Sequence, residues 1–565
     1  MTTPSPSTGG ANTAFGRAVA RDLADLGVQH VVFSPGSRST PLILACEEEP
    51  RLQTIPVLDE RTAGFVALGL SKRRRLPTAL VCTSGSAVTH WFPAVVEADH
   101  SSTPLLLLSA DRPPELQDCA AGQTINQVDL FGRFGRAFFQ APLPDQDKEA
   151  LPILRKMLGE AYRATLGKAP GPVHLNFPFR EPLLSQEDDL PTIGPPPLSA
   201  NLTDFGFSPD ADTCELLEHL GACRRLLVVA GERAPAGTFD KWSGENGPPI
   251  LCDALSPLRD YTCPNRILRF ENLLRDDGFR ALAQPDAIIQ LGPLPTSKTL
   301  RAWLEELEVP RAVIEPRDRK VDPLQSPSSS FEVDYPSLSS LDLPPCDSGW
   351  TSLWMEAESQ VDSKLDDFFE RENGWFEGKI AHLLSLHLPA GSQLQVANSM
   401  PIRDVEWFWK GSDHGRSLFG NRGVNGIDGT LGTAVGLAHD SSKPTFLLTG
   451  ELAFLHDSNA LLVAPKLHGS LTVFLVDNQG GGIFENLPVA GLPAFEKCFA
   501  TPQQCNLRML CEAHQIDFIT PADWPALVAL IAESSPAGIR VIEIKTDRKR
   551  DRTIRRELLG LGPGA

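Results

Sequence analysis

No stretch of this 565-residue chain reaches the ~18 consecutive apolar residues that a membrane-spanning helix needs, so no membrane insertion is expected. The opening Met1-Thr-Thr-Pro-Ser-Pro-Ser-Thr-Gly-Gly has neither a basic segment nor an apolar core, so no secretory signal is expected. No cysteine pair is spaced C-x-x-C, which argues against a structural zinc site. The 12 histidines form no H-x-x-H pattern and receive no role. The 11 cysteines are scattered and odd in number, which fits reduced thiols and a cytoplasmic location. Positive charge is in deficit as well: 52 Lys and Arg face 71 Asp and Glu, a net −19. That balance argues against nucleic-acid or anionic-membrane partners, though not against local basic pockets. The one basic run, Lys545–Arg556, is expected to be a solvated terminal helix.

What is present is ordinary for a globular protein: 41% hydrophobic and 22% charged residues. The length calls for more than one core, hence two to four domains. From about residue 11 to 190, helical and strand patterns alternate. Ala14–Leu26, Thr62–Ser71 and Ala87–Ala98 read as helices; His30–Phe33, Thr54–Leu58, Ala79–Cys82 and Leu105–Ser109 read as buried strands. Pro191–Pro197 reads as a stiff linker. A second α/β region carries strands Leu226–Ala230, Ala287–Leu291 and Ala312–Glu315, and the Ser- and Pro-rich Asp322–Ser348 reads as the next linker. A third region carries strands Gln393–Ala397, Thr445–Thr449, Leu471–Val476 and Val541–Ile544. The fold class is therefore α/β, with three doubly wound parallel-sheet domains at 1–190, 198–345 and 350–565. The outer two could share a fold.

The most informative pair of segments lies in the third region. Phe446-Leu-Leu-Thr-Gly450-Glu451 and Leu471-Thr-Val-Phe-Leu-Val-Asp477-Asn478-Gln479-Gly480-Gly481-Gly482 are apolar runs ending in glycine or metal-ligand residue types. Glu451 and Asn478 are about 27 residues apart, the length of a strand–helix–strand crossover, so both can sit at carboxyl ends of parallel strands, where ligands collect. A carboxylate, a side-chain amide and a backbone carbonyl near Gly480 form a hard oxygen set suited to Mg²⁺ or Mn²⁺ with phosphate oxygens completing the shell.

With Ser34-Pro-Gly-Ser37-Arg38-Ser-Thr-Pro, Asp59-Glu60-Arg61-Thr-Ala, Thr83-Ser-Gly-Ser-Ala, Ala110-Asp-Arg112-Pro-Pro-Glu-Leu and Asn421-Arg422-Gly-Val-Asn-Gly-Ile427-Asp-Gly, the chain resembles the SEPHCHC synthase family (2-succinyl-5-enolpyruvyl-6-hydroxy-3-cyclohexene-1-carboxylate synthases). These are thiamine diphosphate (ThDP) enzymes of menaquinone and phylloquinone synthesis. The resemblance runs through nearly the whole chain. It implies a pyrimidine-binding-type first domain, a central domain and a diphosphate-binding-type third domain. It implies decarboxylation of 2-oxoglutarate and 1,4-addition of the resulting four-carbon acyl-anion equivalent to isochorismate. A different ThDP decarboxylase or carboligase, acetolactate-synthase-like, is the nearest alternative, and a non-catalytic α/β binding protein the next.

The resemblance also assigns residues. Glu60 matches the glutamate that hydrogen-bonds N1′ of the aminopyrimidine and so promotes loss of the thiazolium C2 proton. Glu451, Asn478 and the carbonyl at Gly480 match the metal ligands, although the family usually has Asp in place of Glu451. Ile427 matches the aliphatic residue that bends the cofactor into its V-shape. Ser84, Gly85, Ser399 and Ile483 match cofactor contacts. Ser37, Arg38, Arg112, Gln123, Lys298, Arg403, Arg422 and Phe484 match the substrate pocket, where guanidinium groups suit dianionic carboxylates. The position of Gly122 is often Asn in the family, so one contact is expected to be missing. A homodimer or homotetramer with interfacial active sites is implied.

Overall fold

The computed structural model describes residues 7–144, 149–185, 209–244, 246–533 and 536–564. It contains three six-stranded parallel sheets with flanking helices. The first consists of β1 (His30–Phe33), β2 (Gln53–Pro56), β3 (Thr78–Cys82), β4 (Leu105–Asp111), β5 (Phe138–Gln140) and β6 (Pro172–Pro178), ordered β2-β1-β3-β4-β6-β5. The second consists of β7 (Leu226–Ala230), β8 (Ile250–Cys252), β9 (Arg266–Ile267), β10 (Ala287–Leu291), β11 (Arg311–Ile314) and β12 (Ser329–Phe331), ordered β12-β11-β10-β7-β8-β9. The third consists of β13 (Gln393–Val396), β14 (Ser417–Phe419), β15 (Thr445–Gly450), β16 (Ser470–Asp477), β17 (Asp517–Ile519) and β18 (Gly538–Lys545), ordered β14-β13-β15-β16-β18-β17. The first and third sheets thus have the same strand order. The second follows a different one, so the shared fold belongs to the outer pair. Central strands such as β3, β4, β7 and β10 are buried along their whole length, which is why they read as mainly apolar runs without alternation.

Several expectations need correction. Ala87–Ala98 is not one helix: the chain forms Ser86–Thr89 and then Phe92–Ser101, the second with a proline in its first turn. Pro93 has no N–H for the ladder, so it starts a helix rather than continuing one. Asp322–Ser348 is not a free linker. It supplies β12, which pairs with β11, and buries Phe331, Val333, Leu338 and Cys346. The basic tail forms the helix Arg548–Leu559, but it is not merely solvated: Arg548, Asp551, Ile554, Arg555 and Leu558 are buried. Pro191–Pro197 lies outside the described residues. Among the described residues, no helix is long and apolar enough to cross a membrane.

The chain forms two compact units. One comprises Met1–Phe205, Asn421–Ser441 and His456–Ser470; the other comprises Gly206–Gly420, Ser442–Leu455 and Leu471–Ala565. In the first unit, the helix Thr430–Ala438 packs against the helix Glu60–Arg74. The approach is close because small residues meet. A Cβ at Gly69 would lie 2.1 Å from the Thr433 carbonyl oxygen, and one at Gly436 would lie 2.1 Å from that of Val66. Gly436→Val therefore forces two backbones apart and is expected to destabilise by about 3 kcal/mol, read from denaturant unfolding. A loss below about 1 kcal/mol would contradict this packing.

In the second unit, β7–β12 and their helices share a core centred on aromatic residues. Trp354 stands edge-on to Trp350, at 6.1 Å between ring centroids, and 6.2 Å from Trp303. The third sheet has its own apolar core, in which Ile380, Leu394, Phe446 and Phe474 are buried. In both outer sheets the strand order reverses next to the first strand, between β1 and β3 and between β13 and β15. Such a switch point is where ligands enter an open α/β sheet.

Candidate cofactor and metal site

At the carboxyl edge of the third sheet, β15 delivers Glu451 and β16 delivers Asn478. Glu451 opens the short helix Glu451–His456 and is only 4% exposed. Its Oε1 accepts a hydrogen bond from the Gly480 amide at 2.5 Å. Burial pushes its carboxyl up to about 7, and the backbone amide of Gly480 works in the opposite direction. Gly480 is at φ +136, and a Cβ there would lie 2.4 Å from the Ala500 carbonyl oxygen, so only glycine fits. The Gly481 amide donates to that same carbonyl at 2.7 Å. Arg548 Nη1 donates to the Gln479 carbonyl at 2.7 Å, and its Nε to Glu485 at 2.9 Å.

Asn478 is buried, and its amide nitrogen donates to Glu377 Oε1 at 2.5 Å. Its Oδ1 is buried without a hydrogen-bond partner. A buried carbonyl oxygen left unsatisfied costs stability and is what a divalent cation would take up. With the Glu451 carboxylate and the backbone of Gly480, the donor set is all oxygen, so the residues present fit Mg²⁺ or Mn²⁺. Ile483 and Phe484 follow in a turn of 3-10 helix, Gly482–Asn486, both half-buried. At the other side of the switch point, Ser399 has φ +72 and precedes the helix Met400–Phe408. Arg403, in the first turn of that helix, donates to the Ser399 carbonyl at 2.5 Å. Asn486 reaches Met400 Sδ at 3.8 Å, which ties this helix to the Ile483–Phe484 turn. Lys298 is exposed at the start of the helix Lys298–Glu306. Two residues earlier, the Thr296 amide donates at 3.2 Å to Glu406 of the helix that carries Arg403.

In the first unit, the segments after β1, β2, β3 and β4 carry further expected residues. Glu60 is the first residue of the helix Glu60–Arg74 and is half-buried. The cap of that helix is Asp59, whose side chain accepts from the Arg61 and Thr62 amides. Ser84 is fully buried; its hydroxyl donates to the Gln123 carbonyl at 3.0 Å, and Gln123 Nε2 donates back to the Ser84 carbonyl at 3.2 Å. Arg112 Nη1 also reaches the Ser84 hydroxyl. Arg38 is buried and donates to the Phe179 carbonyl and to Glu181, each at 2.9 Å. Burial and the neighbouring Arg38 lower the Arg112 pKa. Asp111 and Glu181 offset part of that repulsion, and the paired guanidinium groups are of the type that binds carboxylates. Ser37 and Gln123 are exposed beside them.

Arg422 and Ile427, both half-buried, lie on one loop of the same unit. Sequence reasoning missed what shapes that loop. Glu97, 2% exposed, accepts from the Gly423 amide at 3.0 Å and the Val424 amide at 2.9 Å. It also missed Gln127, whose Oε1 accepts from the Gly85 amide at 2.9 Å and whose Nε2 donates to Asn176 at 2.8 Å. Glu377 was missed as well. Isolated acids and amides carry no local pattern, so no signal in the sequence could have found them.

Asp457 is another buried acid that the sequence does not announce. Its Oδ2 accepts from the Gly432 amide at 2.7 Å, and its Oδ1 has no hydrogen-bond partner. Burial pushes its carboxyl up to about 7. The folded state therefore holds this proton where the unfolded chain, with a carboxyl near ~4, has lost it. The stability contributed is complete below about pH 4 and is lost as pH rises through about 7. Asp457→Asn removes that loss. The Tm of the variant relative to the parent is expected to climb by about 2–4 °C between about pH 5 and about pH 8, and a flat difference would contradict the assignment. Elsewhere in this unit, His439, Asp440 and His468 bring three ligand-type atoms within 4.8 Å of one another. Asp440 there is already paired with His30 at 3.2 Å and lies near Arg73.

Comparison with known proteins gives the family. Residues 13–132 match the thiamine pyrophosphate enzyme N-terminal TPP binding domain, and residues 221–396 match the middle domain of thiamine pyrophosphate enzymes. A 2-succinyl-5-enolpyruvyl-6-hydroxy-3-cyclohexene-1-carboxylate synthase from Synechococcus sp. (strain JA-3-3Ab) is 41% identical over 97% of this chain and 96% of the relative. The protein of the same name from Trichodesmium erythraeum (strain IMS101) is 38% identical over 96% of each. The one from Microcystis aeruginosa (strain NIES-843 / IAM M-2473) is 40% identical over 95% of this chain and 96% of the relative. Identity at this level across almost the whole length means that the chain belongs to the SEPHCHC synthase family of thiamine diphosphate enzymes.

Proposed function

We propose that this protein catalyses the ThDP- and Mg²⁺-dependent decarboxylation of 2-oxoglutarate and the 1,4-addition of the remaining four-carbon unit to isochorismate. The product is SEPHCHC, on a route to menaquinone or phylloquinone. The observation that carries the reading is the buried, unpartnered Oδ1 of Asn478 in a loop that also holds Gly480 against Glu451. When bound, ThDP supplies the electron sink that lets CO₂ leave a 2-oxoacid.

The chain's own residues divide the remaining work. Glu451, Asn478 Oδ1 and the carbonyl at Gly480 would hold the divalent cation that the diphosphate of ThDP needs. Ser84, Gly85, Ser399, Ile427 and Ile483 line the cofactor. Glu60 shares a proton with N1′ of the aminopyrimidine. Arg38 and Arg112, with Ser37 and Gln123, would bind carboxylates of the two dianionic substrates; Lys298, Arg403, Arg422 and Phe484 would each contribute a further substrate contact. The domains are 1–190 for the pyrimidine, 198–345 in the middle and 350–565 for the diphosphate. The protein acts in the cytoplasm as a homodimer or homotetramer, in which the first domain of one copy serves the third domain of another.

The test is a product assay with 2-oxoglutarate, isochorismate, ThDP and Mg²⁺. SEPHCHC and one CO₂ per turnover are expected. Acetolactate from pyruvate, with no product from 2-oxoglutarate, would overturn the reading in favour of another ThDP carboligase.

A further inference from the structure

Behind Asn478 lies a row of buried charges. Glu377, 4% exposed, faces Asn478 through Oε1 and Arg555 through Oε2. Thr546 Oγ1 also donates to Oε1, at 3.3 Å. Arg555, 2% exposed, spends its Nε and Nη2 on the two oxygens of Asp404, each at 2.7 Å. Asp551 Oδ2 accepts from the Glu377 backbone amide at 3.4 Å. The side of the Asn478 amide away from Glu377 carries the oxygen with no partner.

An Asn side chain is nearly symmetric in shape, but its two ends have opposite chemistry. Only Oδ1 can bind a cation; the NH₂ repels one. Whichever neighbour the amide has on its other side decides which end faces the metal. Glu377 offers Oε1 to Asn478 as an acceptor while Arg555 occupies Oε2, so it takes the NH₂ and turns Oδ1 outward. Gly482 closes in on the same nitrogen: a Cβ there would lie 2.9 Å from Asn478 Nδ2.

We propose that Glu377 is a positioning residue that fixes the Asn478 amide with its oxygen toward the divalent cation, in a relay Arg555–Glu377–Asn478–metal. The inference rests on the proposed function, because it needs Asn478 to be a ligand. Outer partners of metal ligands typically change metal affinity by about 10–100-fold.

Glu377→Gln makes the mechanism visible. Arg555 has only N–H groups to offer, so the new amide turns its oxygen to Arg555 and its NH₂ to Asn478. Asn478 then flips and presents NH₂ to the cation. The full-length protein is titrated with Mn²⁺ in the presence of ThDP, for the parent, Glu377→Gln, Asn478→Ala and the double variant, with near-UV circular dichroism to confirm folding. Glu377→Gln is expected to weaken Mn²⁺ binding by about 10–100-fold. In the Asn478→Ala background the same change is expected to add less than about threefold, because the amide it acts through is gone. Parent-like Mn²⁺ affinity in Glu377→Gln would overturn the proposal. So would an equal loss in both backgrounds, which is what a merely structural role would give. If Glu377→Gln does not fold, Glu377→Asp keeps the carboxyl group but withdraws it from Asn478, and the same pattern is expected. A parent protein that binds ThDP and Mn²⁺ not at all would sink the functional reading itself, and this inference with it.

Discussion

Glu60→Gln is expected to fold normally, to bind ThDP, and to turn over roughly 10³-fold more slowly. The structure separates the two consequences. The helix Glu60–Arg74 is capped by Asp59, not by Glu60, and Glu60 is only half-buried. Removing its charge therefore takes away no cap and leaves no buried partner stranded, and Tm should move by less than about 2 °C. What glutamine does lose is the ability to share a proton with the aminopyrimidine nitrogen, a role that needs an acid changing its protonation during the cycle. Steady-state rates with ThDP saturating, alongside a melting curve, give both numbers. Parent-like turnover would remove Glu60 from the mechanism.

The second large effect is expected at Glu451. Glu451→Gln keeps the shape and can still accept from the Gly480 amide, but it removes the one carboxylate of the proposed donor set. Mg²⁺ affinity in the presence of ThDP should fall by at least about 100-fold, and activity should return only at high Mg²⁺. The metal-free protein should not suffer. Burial already pushes this carboxyl up to about 7, so an uncharged amide relieves a desolvation cost above that pH. The expected combination, weaker metal binding with equal or higher metal-free Tm at about pH 8, distinguishes a ligand from a packing residue. An unchanged Mg²⁺ requirement would contradict the assignment.

Much of this was legible in the sequence because the decisive parts are local. The buried parallel strand Leu226–Ala230 is a continuous apolar run and Ala287–Leu291 is broken only by Gln290, and the structure places strands over just those residues. Glu451 and Asn478 each follow a strand directly, so one crossover length brought them together. Strand β6 was missed because His174 and Asn176 interrupt its apolar run. Both are buried in the sheet, where the Ser109 hydroxyl bonds His174 Nε2 at 2.7 Å and Asn176 Oδ1 at 2.8 Å. The short strands β8, β9, β12, β14 and β17 have two or three residues each, too few to show a period. Strand β12 was hidden further by its serines, and only Phe331 anchors it. The charge relay behind Asn478 was invisible for a different reason: Glu377, Asp404 and Arg555 are far apart in the chain, and only the fold makes them neighbours.

Crystals soaked with ThDP and Mg²⁺ test the central claim most directly. The account predicts density for a cation bound by the Glu451 carboxylate, Asn478 Oδ1 and the backbone carbonyl at Gly480, with diphosphate oxygens completing its shell. A cation bound elsewhere, with Asn478 Oδ1 still unpartnered, would contradict it.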